Sequence, residues 1–312
     1  MRLVFKMGGG KMINELNRAN KANYIPMSTS RVEKNTATCL LENEVKKIKA
    51  FHDQSEIVNS IMVGDSFEIM QKVDNDTFDM VFVDPPYNMQ LQNELYRPNN
   101  TKVDAVDDEW DQFSNFEHYD DFTKAWVKEV KRVMKKNATL WVIGSYHNIF
   151  RVGTILQDLG FWILNDVIWV KSNPMPNFRG VRFTNATETL IWAVKDKNVK
   201  NYTFNYEDMK KHNNGKQMRN DWYFGICNGI ERLRDESGEK VHSTQKPLAL
   251  LERIVLASTR KGNLILDPFA GTCTTGVAAY KHDRRFTMIE KDEHYANWGL
   301  KRFKNIHPEF FK

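Results

Sequence analysis

The stretch Asn263–Glu290, NLILDPFAGTCTTGVAAYKHDRRFTMIE, decides the fold. Asn263–Leu266 is a short apolar run of the kind that forms a buried strand, and Phe286–Ile289 is another. Between them Thr274–His282 reads as a helix, opened by the turn Asp267-Pro268-Phe269-Ala270-Gly271-Thr272. Two parallel strands need such a crossover, because a tight turn cannot bring the chain back to the same edge.

The same alternation runs upstream. Ser60–Val63, Phe78–Val83, Thr139–Ile143, Phe161–Val170 and Glu188–Val194 read as strands, and Tyr119–Lys136 and Ile149–Leu159 as helices, the second stopped by Gly160. A further helix is expected from Pro247, with proline at its first position and Gly262 just past its end. Strands alternating with helices give an α/β fold, a doubly wound and mostly parallel sheet with helices on both faces. Asn198–Lys240 breaks the rhythm with polar text and four glycines, as either an inserted recognition region or a long loop. Residues 1–56 read as an arm with a short helix around Glu42–Phe51. The expected division is an arm at 1–56, a domain at 57–303 with an insert at about 171–240, and a tail at 304–312.

Composition narrows the function classes. A mean hydropathy of −0.58 and the lack of a long apolar run argue against a membrane-spanning protein. No apolar segment follows the start as a secretory leader would. Cys39, Cys227 and Cys273 are far apart and not in metal-ligand spacing, so neither disulfides nor a metal are expected and a cytoplasmic protein is. The formal charge of +5 is unevenly spread: +4 in residues 1–56, −7 in 57–150, +6 in 151–261 and +2 in 262–312. A basic middle beside an acidic block suits a polyanion held on one face, and equally a scatter of solvated charge.

Two strands end in unusual polar text, and in a doubly wound sheet ligands bind beyond the carboxyl ends of strands. The Asp267–Thr275 turn can cradle a small ligand, although the dehydrogenase pattern G-x-G-x-x-G is absent. Glu290 ends the following strand, where an acidic side chain accepts both hydroxyls of a ribose; an ordinary strand-end carboxylate is the plainer alternative. Asp84-Pro85-Pro86-Tyr87 is more specific. Two prolines stiffen the chain and keep their carbonyls as acceptors, beside a carboxylate and an aromatic ring. That set suits a planar group bearing an NH2, while a turn with Asp84 as its cap reads the same residues more simply.

DPPY followed by the FxG-type turn resembles the S-adenosylmethionine-dependent amino-methylating DNA methyltransferases, and the order of the motifs matches their beta class. DPPYNMQL (Asp84–Leu91), VDAVDDEWDQF (Val103–Phe113), LWVIGSYHNIFR (Leu140–Arg151), NPMPNFRGVRFTN (Asn173–Asn185) and HSTQKP (His242–Pro247) further resemble the bacterial cell-cycle-regulated adenine methyltransferases that act on GANTC. The resemblance covers roughly Ile57–Trp298. It implies a Rossmann-like fold, S-adenosylmethionine as cofactor and double-stranded DNA as substrate, with a homodimer possible.

For the site, the resemblance implies that Asp84 and the Pro85 carbonyl accept from the target amine, that Pro86 completes the rigid turn, and that Tyr87 stacks on a flipped base. Asp267, Phe269, Gly271, Thr272 and Cys273 would wall the cofactor, Glu290 would hold its ribose, Asp65 and Ser66 its adenine, and Thr244, Gln245 and Lys246 its methionine end. Asn173 begins the loop expected to enclose the base. Lys171, Asn177, Arg179 and Arg182 are candidate DNA contacts, as Arg and Asn suit bidentate reading of base edges. Trp110 and Phe113, in an acidic loop expected to close over substrate, are others, along with Arg97 and His147. The chain departs from the family at Cys273, which stands where the second glycine of FxGxG is expected, in its N-terminal arm, and in lacking the C-terminal DNA-binding extension of longer members. Cytosine-N4 methylation and a catalytically silent DNA-binding partner subunit are the rivals. Protein-glutamine methylation is disfavoured, because Asp84 stands where that group typically has Asn.

Overall fold

Along β2 (Phe78–Val83), Val81 and Val83 face one side of the sheet and Met80 and Phe82 the other, all four buried. A strand buried on both faces lies inside a layered α/β domain. The computed structural model describes residues 54–89, 111–177 and 180–306. The N-terminal arm up to residue 53, with its expected helix at Glu42–Phe51, lies outside the described residues, as do Arg97, Trp110, Arg179 and residues 307–312.

Eight strands form one sheet in the order β1-β8-β7-β2-β3-β5-β4-β6. They are β1 (Ser60–Val63), β2, β3 (Met134–Gly144), β4 (Trp162–Lys171), β5 (Thr187–Val194), β6 (Asp221–Phe224), β7 (Leu264–Asp267) and β8 (Arg285–Glu290). All pairings are parallel except β3 with β5 and β4 with β5, so β5 alone runs against the others. The helices are α1 (Ser66–Met70), α2 (Phe116–Val133), α3 (Ile149–Asp158), α4 (Tyr206–Lys211), α5 (Leu248–Ser258), α6 (Thr274–Lys281) and α7 (Glu293–Ile306). The buried residues of α2 and α3 join Val81, Val83, Leu140 and Leu266 in one core. Those of α5, α6 and α7 join Met80, Phe82, Trp141 and Ile265 in the core on the opposite face.

The chain leaves β2 toward β3 on one side and leaves β7 toward β8 on the other, although β2 and β7 are neighbours. Such a reversal opens a crevice between the carboxyl ends of the two strands. Asp84 and Asp267 are the residues delivered there.

Several expected boundaries move. Helix α2 stops at Val133 rather than Lys136, because Met134 turns extended (φ −67°, ψ 138°) to pair with Phe78 in the sheet. Pro247 caps α5 from outside, and the helix ends well before Gly262. Arg284 fixes that end by donating to both Oγ1 and the carbonyl of Thr259, at 2.9 and 2.7 Å. The stretch 171–240 supplies β5 and β6 to the sheet as well as loops, and α7 continues past residue 303 to Ile306.

Candidate active site

A cavity of about 630 Å³ opens at the reversal, lined by Asp84, Pro85, Pro86 and Tyr87 from the end of β2 and by Asp267, Phe269, Gly271 and Thr272 from the end of β7. Asp65, Ser66, Thr244, Gln245, Lys246 and Glu290 complete most of the expected wall. Asp84 and Asp267, 183 residues apart in sequence, line one cavity because their strands are neighbours.

Asp84 sits in a row of alternating charge. Its Oδ2 accepts from Lys246 Nζ at 2.7 Å, and its Oδ1 lies 3.1 Å from the Tyr87 hydroxyl. That hydroxyl is also 3.1 Å from Glu188 Oε2 on β5, and Glu188 Oε1 pairs with Lys171 Nζ at 2.8 Å. Lys246 Nζ stands 5.1 Å above the centre of the Tyr87 ring, within cation–π range. Burial pushes the Asp84 carboxyl above its ordinary value, although Lys246 opposes the shift. Burial would lower Lys246, but the carboxylates of Asp84 and Glu188 outweigh it and hold the ammonium above the usual lysine value. Burial and the two carboxylates push the Tyr87 phenol well up, so it is a neutral hydroxyl.

The catalytic turn is held from below. Asp111 accepts from the backbone N–H of Tyr87, and of Asn88 and Met89 at 2.8 Å each. The Tyr119 hydroxyl donates to the Pro86 carbonyl at 2.9 Å and accepts from Asn148 Nδ2 at 3.2 Å. The Pro86 carbonyl is thereby engaged within the protein. Phe113 packs edge-on against Tyr119 and tilted against Phe122, at 4.9 and 5.2 Å between ring centres.

On the β7 side, Asp267 accepts from Thr275 Oγ1 at 2.6 Å and from the Phe269 N–H at 3.1 Å, and burial raises its carboxyl to about 7. Glu290 accepts from the N–H groups of Gly271 and Asp292 at 2.7 and 2.9 Å. Asp65 caps α1 through Oδ1, and the Ser66 hydroxyl donates to the Pro268 carbonyl. Both ends of the Gln245 amide are used, accepting from Leu233 N–H and donating to the Glu231 carbonyl at 3.0 Å each, which fixes this side chain in the cavity wall. Neighbouring His242, missed as a candidate, accepts from Thr244 N–H at 3.2 Å through Nδ1. Burial holds His242 down to about 4, so its ring is neutral.

Cys273 is a correction: it does not line the cavity. With a left-handed backbone (φ 60°) at the N-cap of α6, its side chain turns into the core against Gly299, where an added Cβ would meet Sγ at 2.5 Å. The substitution of cysteine for the expected glycine therefore takes up space beside α7.

The candidate DNA contacts divide. Lys171 is only 12% exposed and pairs with Glu188, at the end of the row that runs through Tyr87 to Asp84. Asn173 Oδ1 accepts from the Ile226 N–H at 2.8 Å, tying two loops together. Asn177 Oδ1 accepts from the Val181 N–H at 3.3 Å and closes its own turn. Arg182 is exposed and donates to the Tyr146 hydroxyl at 2.7 Å, beside His147. Glu188, Asp111, Tyr119 and Asn148 were not expected from sequence.

Residues 78–301 match the family model N6_N4_Mtase, described as DNA methylase. The chain belongs to this family. The methyltransferase is 47% identical over 254 residues to the type II methyltransferase M.HinfI of Haemophilus influenzae, which covers 81% of this chain and 70% of M.HinfI. It is 40% identical to the type II methyltransferase M2.DpnII of Streptococcus pneumoniae, over 82% of this chain and 92% of that protein. Among solved structures, the complex of M1.HpyAVI with S-adenosylmethionine superposes with a TM-score of 0.57 at 27% identity, covering 78% of this chain and 98% of that one. The PvuII cytosine-N4 methyltransferase shares the fold at a TM-score of 0.61 and 19% identity, over 78% of this chain and 86% of that one.

The enzyme is an S-adenosylmethionine-dependent DNA methyltransferase, and its residues fit that cofactor. Thr272 is 2% exposed, its hydroxyl has no hydrogen-bond partner among the described residues, and it borders the cavity. An orphaned buried hydroxyl is costly unless a ligand group meets it. Asp267 and Glu290 add carboxylate acceptors, and Phe269 an apolar wall packed on Phe122 and Trp126. No helix among the described residues is long and apolar enough to cross a membrane, and no group of three metal-ligating side chains occurs among them.

Proposed function

We propose that this methyltransferase methylates the N6 amine of adenine in duplex DNA, at GANTC or a related site, and that it belongs to the beta class alongside the cell-cycle-regulated enzymes. The observation that carries this reading is the Asp84–Tyr87 turn, rigid, underpinned by Asp111 and Tyr119 and open toward the cofactor cavity. The 47% identity to M.HinfI supports a type II, sequence-specific activity.

S-adenosylmethionine, when bound, supplies an electrophilic methyl on a sulfonium. Glu290, Asp267, Phe269, Gly271, Thr272 and Asp65 would hold it, with Ser66, Thr244 and Gln245 shaping the wall. An exocyclic amine is a poor nucleophile because its lone pair is delocalised into the ring. Asp84 and the Pro85 carbonyl accept its two hydrogens, which favours a tetrahedral nitrogen with the pair aimed at the methyl. Lys246 keeps Asp84 in place as an acceptor. Alignment of the reacting atoms supplies much of the acceleration. The base leaves the duplex to reach the site, and stacking on Tyr87 offsets part of the few kcal/mol, roughly, that this requires.

The described stretches 172–177 and 180–186, with exposed Arg182, form the DNA-facing loop in this reading, with Asn173 and Asn177 setting its shape and Trp110 and Arg179 as further contacts. The recognition stretch is about 171–240, the catalytic domain 57–303, the arm 1–56 an added source of DNA affinity, and 304–312 the tail. A homodimer in the cytoplasm is the assembly and compartment proposed. Nucleoside analysis of methylated duplex tests the reading, with N6-methyladenine expected.

A further inference from the structure

Methyl transfer to an exocyclic amine leaves a hydrogen to dispose of. The nitrogen lone pair forms the new N–C bond, the C–S pair departs with sulfur, and the nitrogen is left carrying one proton more than the product.

The row Asp84 Oδ1, Tyr87 hydroxyl, Glu188 Oε2 has an unfilled place for that proton. The hydroxyl is 3.1 Å from each carboxylate oxygen, yet it carries a single hydrogen. With both carboxylates ionised, only one contact is a full hydrogen bond and the other sets two acceptors face to face. One additional proton makes both contacts good. Lys246 on one flank and Lys171 on the other balance the two carboxylates, so the row is neutral before the proton arrives.

We propose that Glu188 is the terminal acceptor of a proton relay. The methylated amine gives its proton to Asp84 Oδ1. Asp84 passes a proton to the Tyr87 oxygen while the Tyr87 O–H passes its own to Glu188 Oε2, and Glu188, partly exposed at 12%, releases it to water. Glu188 does not touch the base and acts through Tyr87, so it is a positioning and relay residue. This inference rests on the amine-methylating reading above and adds where the proton goes. It also explains why β5, the strand that runs against the rest, places a carboxylate and its own lysine partner from β4 behind the catalytic turn.

The test compares wild type with Glu188→Gln and Tyr87→Phe in single-turnover methylation of a GANTC duplex, alongside base flipping by 2-aminopurine fluorescence and affinities for cofactor and DNA. Glutamine keeps an acceptor for the Tyr87 hydroxyl but takes up no proton. Glu188→Gln is expected to lower the single-turnover rate at least tenfold, with flipping and both affinities within twofold of wild type. The acid limb of the rate profile, which reports ionisation of Asp84 among its neighbours Tyr87, Glu188, Lys171, Lys246 and Asp267, is expected to shift. Tyr87→Phe should give a similar loss, and the double variant no further loss. A Glu188→Gln enzyme with wild-type rate and acid limb would overturn the relay, as would losses fully accounted for by weaker flipping or binding. If Glu188→Gln melts below assay temperature, Tyr87→Phe decides: a wild-type rate overturns the relay, and a tenfold loss with flipping intact supports it. A wild-type enzyme that produces no methylated amine overturns the underlying reading instead.

Discussion

Lys246 Nζ lies 2.7 Å from Asp84 Oδ2, in a pair whose side chains are 8% and 18% exposed. One partner ends the central strand β2 and the other precedes α5, 162 residues later. Two buried charges survive out of water only when paired and hydrogen-bonded, so each sets the charge state of the other.

Replacing Lys246 with Met strands the Asp84 carboxyl. Burial already raises it, and loss of the ammonium raises it further, so the acid form gains on the carboxylate. An acid donates where the amine needs an acceptor, and kcat is expected to fall about a hundredfold. Because the raised group ionises as pH increases, part of the loss should return as pH rises. A kcat–pH profile checks this; a loss that is flat with pH contradicts it.

Asp111→Ala removes the acceptor of three backbone N–H groups in the catalytic turn. Orphaned buried donors cost about 1–3 kcal/mol each when nothing replaces the acceptor. The variant is expected to melt lower and to lose at least tenfold in kcat, measured by thermal denaturation and steady-state assay.

Gly299→Ala drives a Cβ into Cys273 Sγ. Overpacking at such a site costs roughly 1–3 kcal/mol. Cys273→Gly removes the obstacle and also relieves a left-handed backbone, so the double variant should recover most of the lost stability. Denaturant midpoints of the two single variants and the double measure that coupling.

Asp267 predicts a pH dependence of stability. Its folded-state value, about 7, lies above the unfolded carboxylate value, so the native state binds more protons between pH 4 and 7. This group's contribution is present below the unfolded value and is lost as pH rises through 7, a change of roughly a few kcal/mol. Asp267→Asn should flatten the slope in that window relative to wild type, as read from unfolding free energies at several pH values.

The sheet was legible because its strands are apolar runs ended by Asp84, Asp267 and Glu290, and strand ends are where such folds bind ligands. Most of the expected cofactor wall lines one cavity for the same reason. Glu188 was not legible: its place behind Tyr87 depends on β5 being threaded between β3 and β4, an order no local pattern carries. Asp111 was hidden in a run of acidic residues, and only the fold shows that it turns inward to the backbone of residues 87–89. Lys171 has the sequence context of a DNA contact, but its partner sits across a strand pair. Cys273 was misplaced because a single positive φ sends its side chain to the opposite side of the turn.

The most direct measurement uses wild type and Asp84→Ala with methyl-labelled S-adenosylmethionine and a panel of duplexes that includes GANTC, followed by digestion to nucleosides. The account predicts labelled N6-methyladenine from the wild type, concentrated in the GANTC duplex, and none from Asp84→Ala. Label found only as N4-methylcytosine, or an inert wild type, would contradict it.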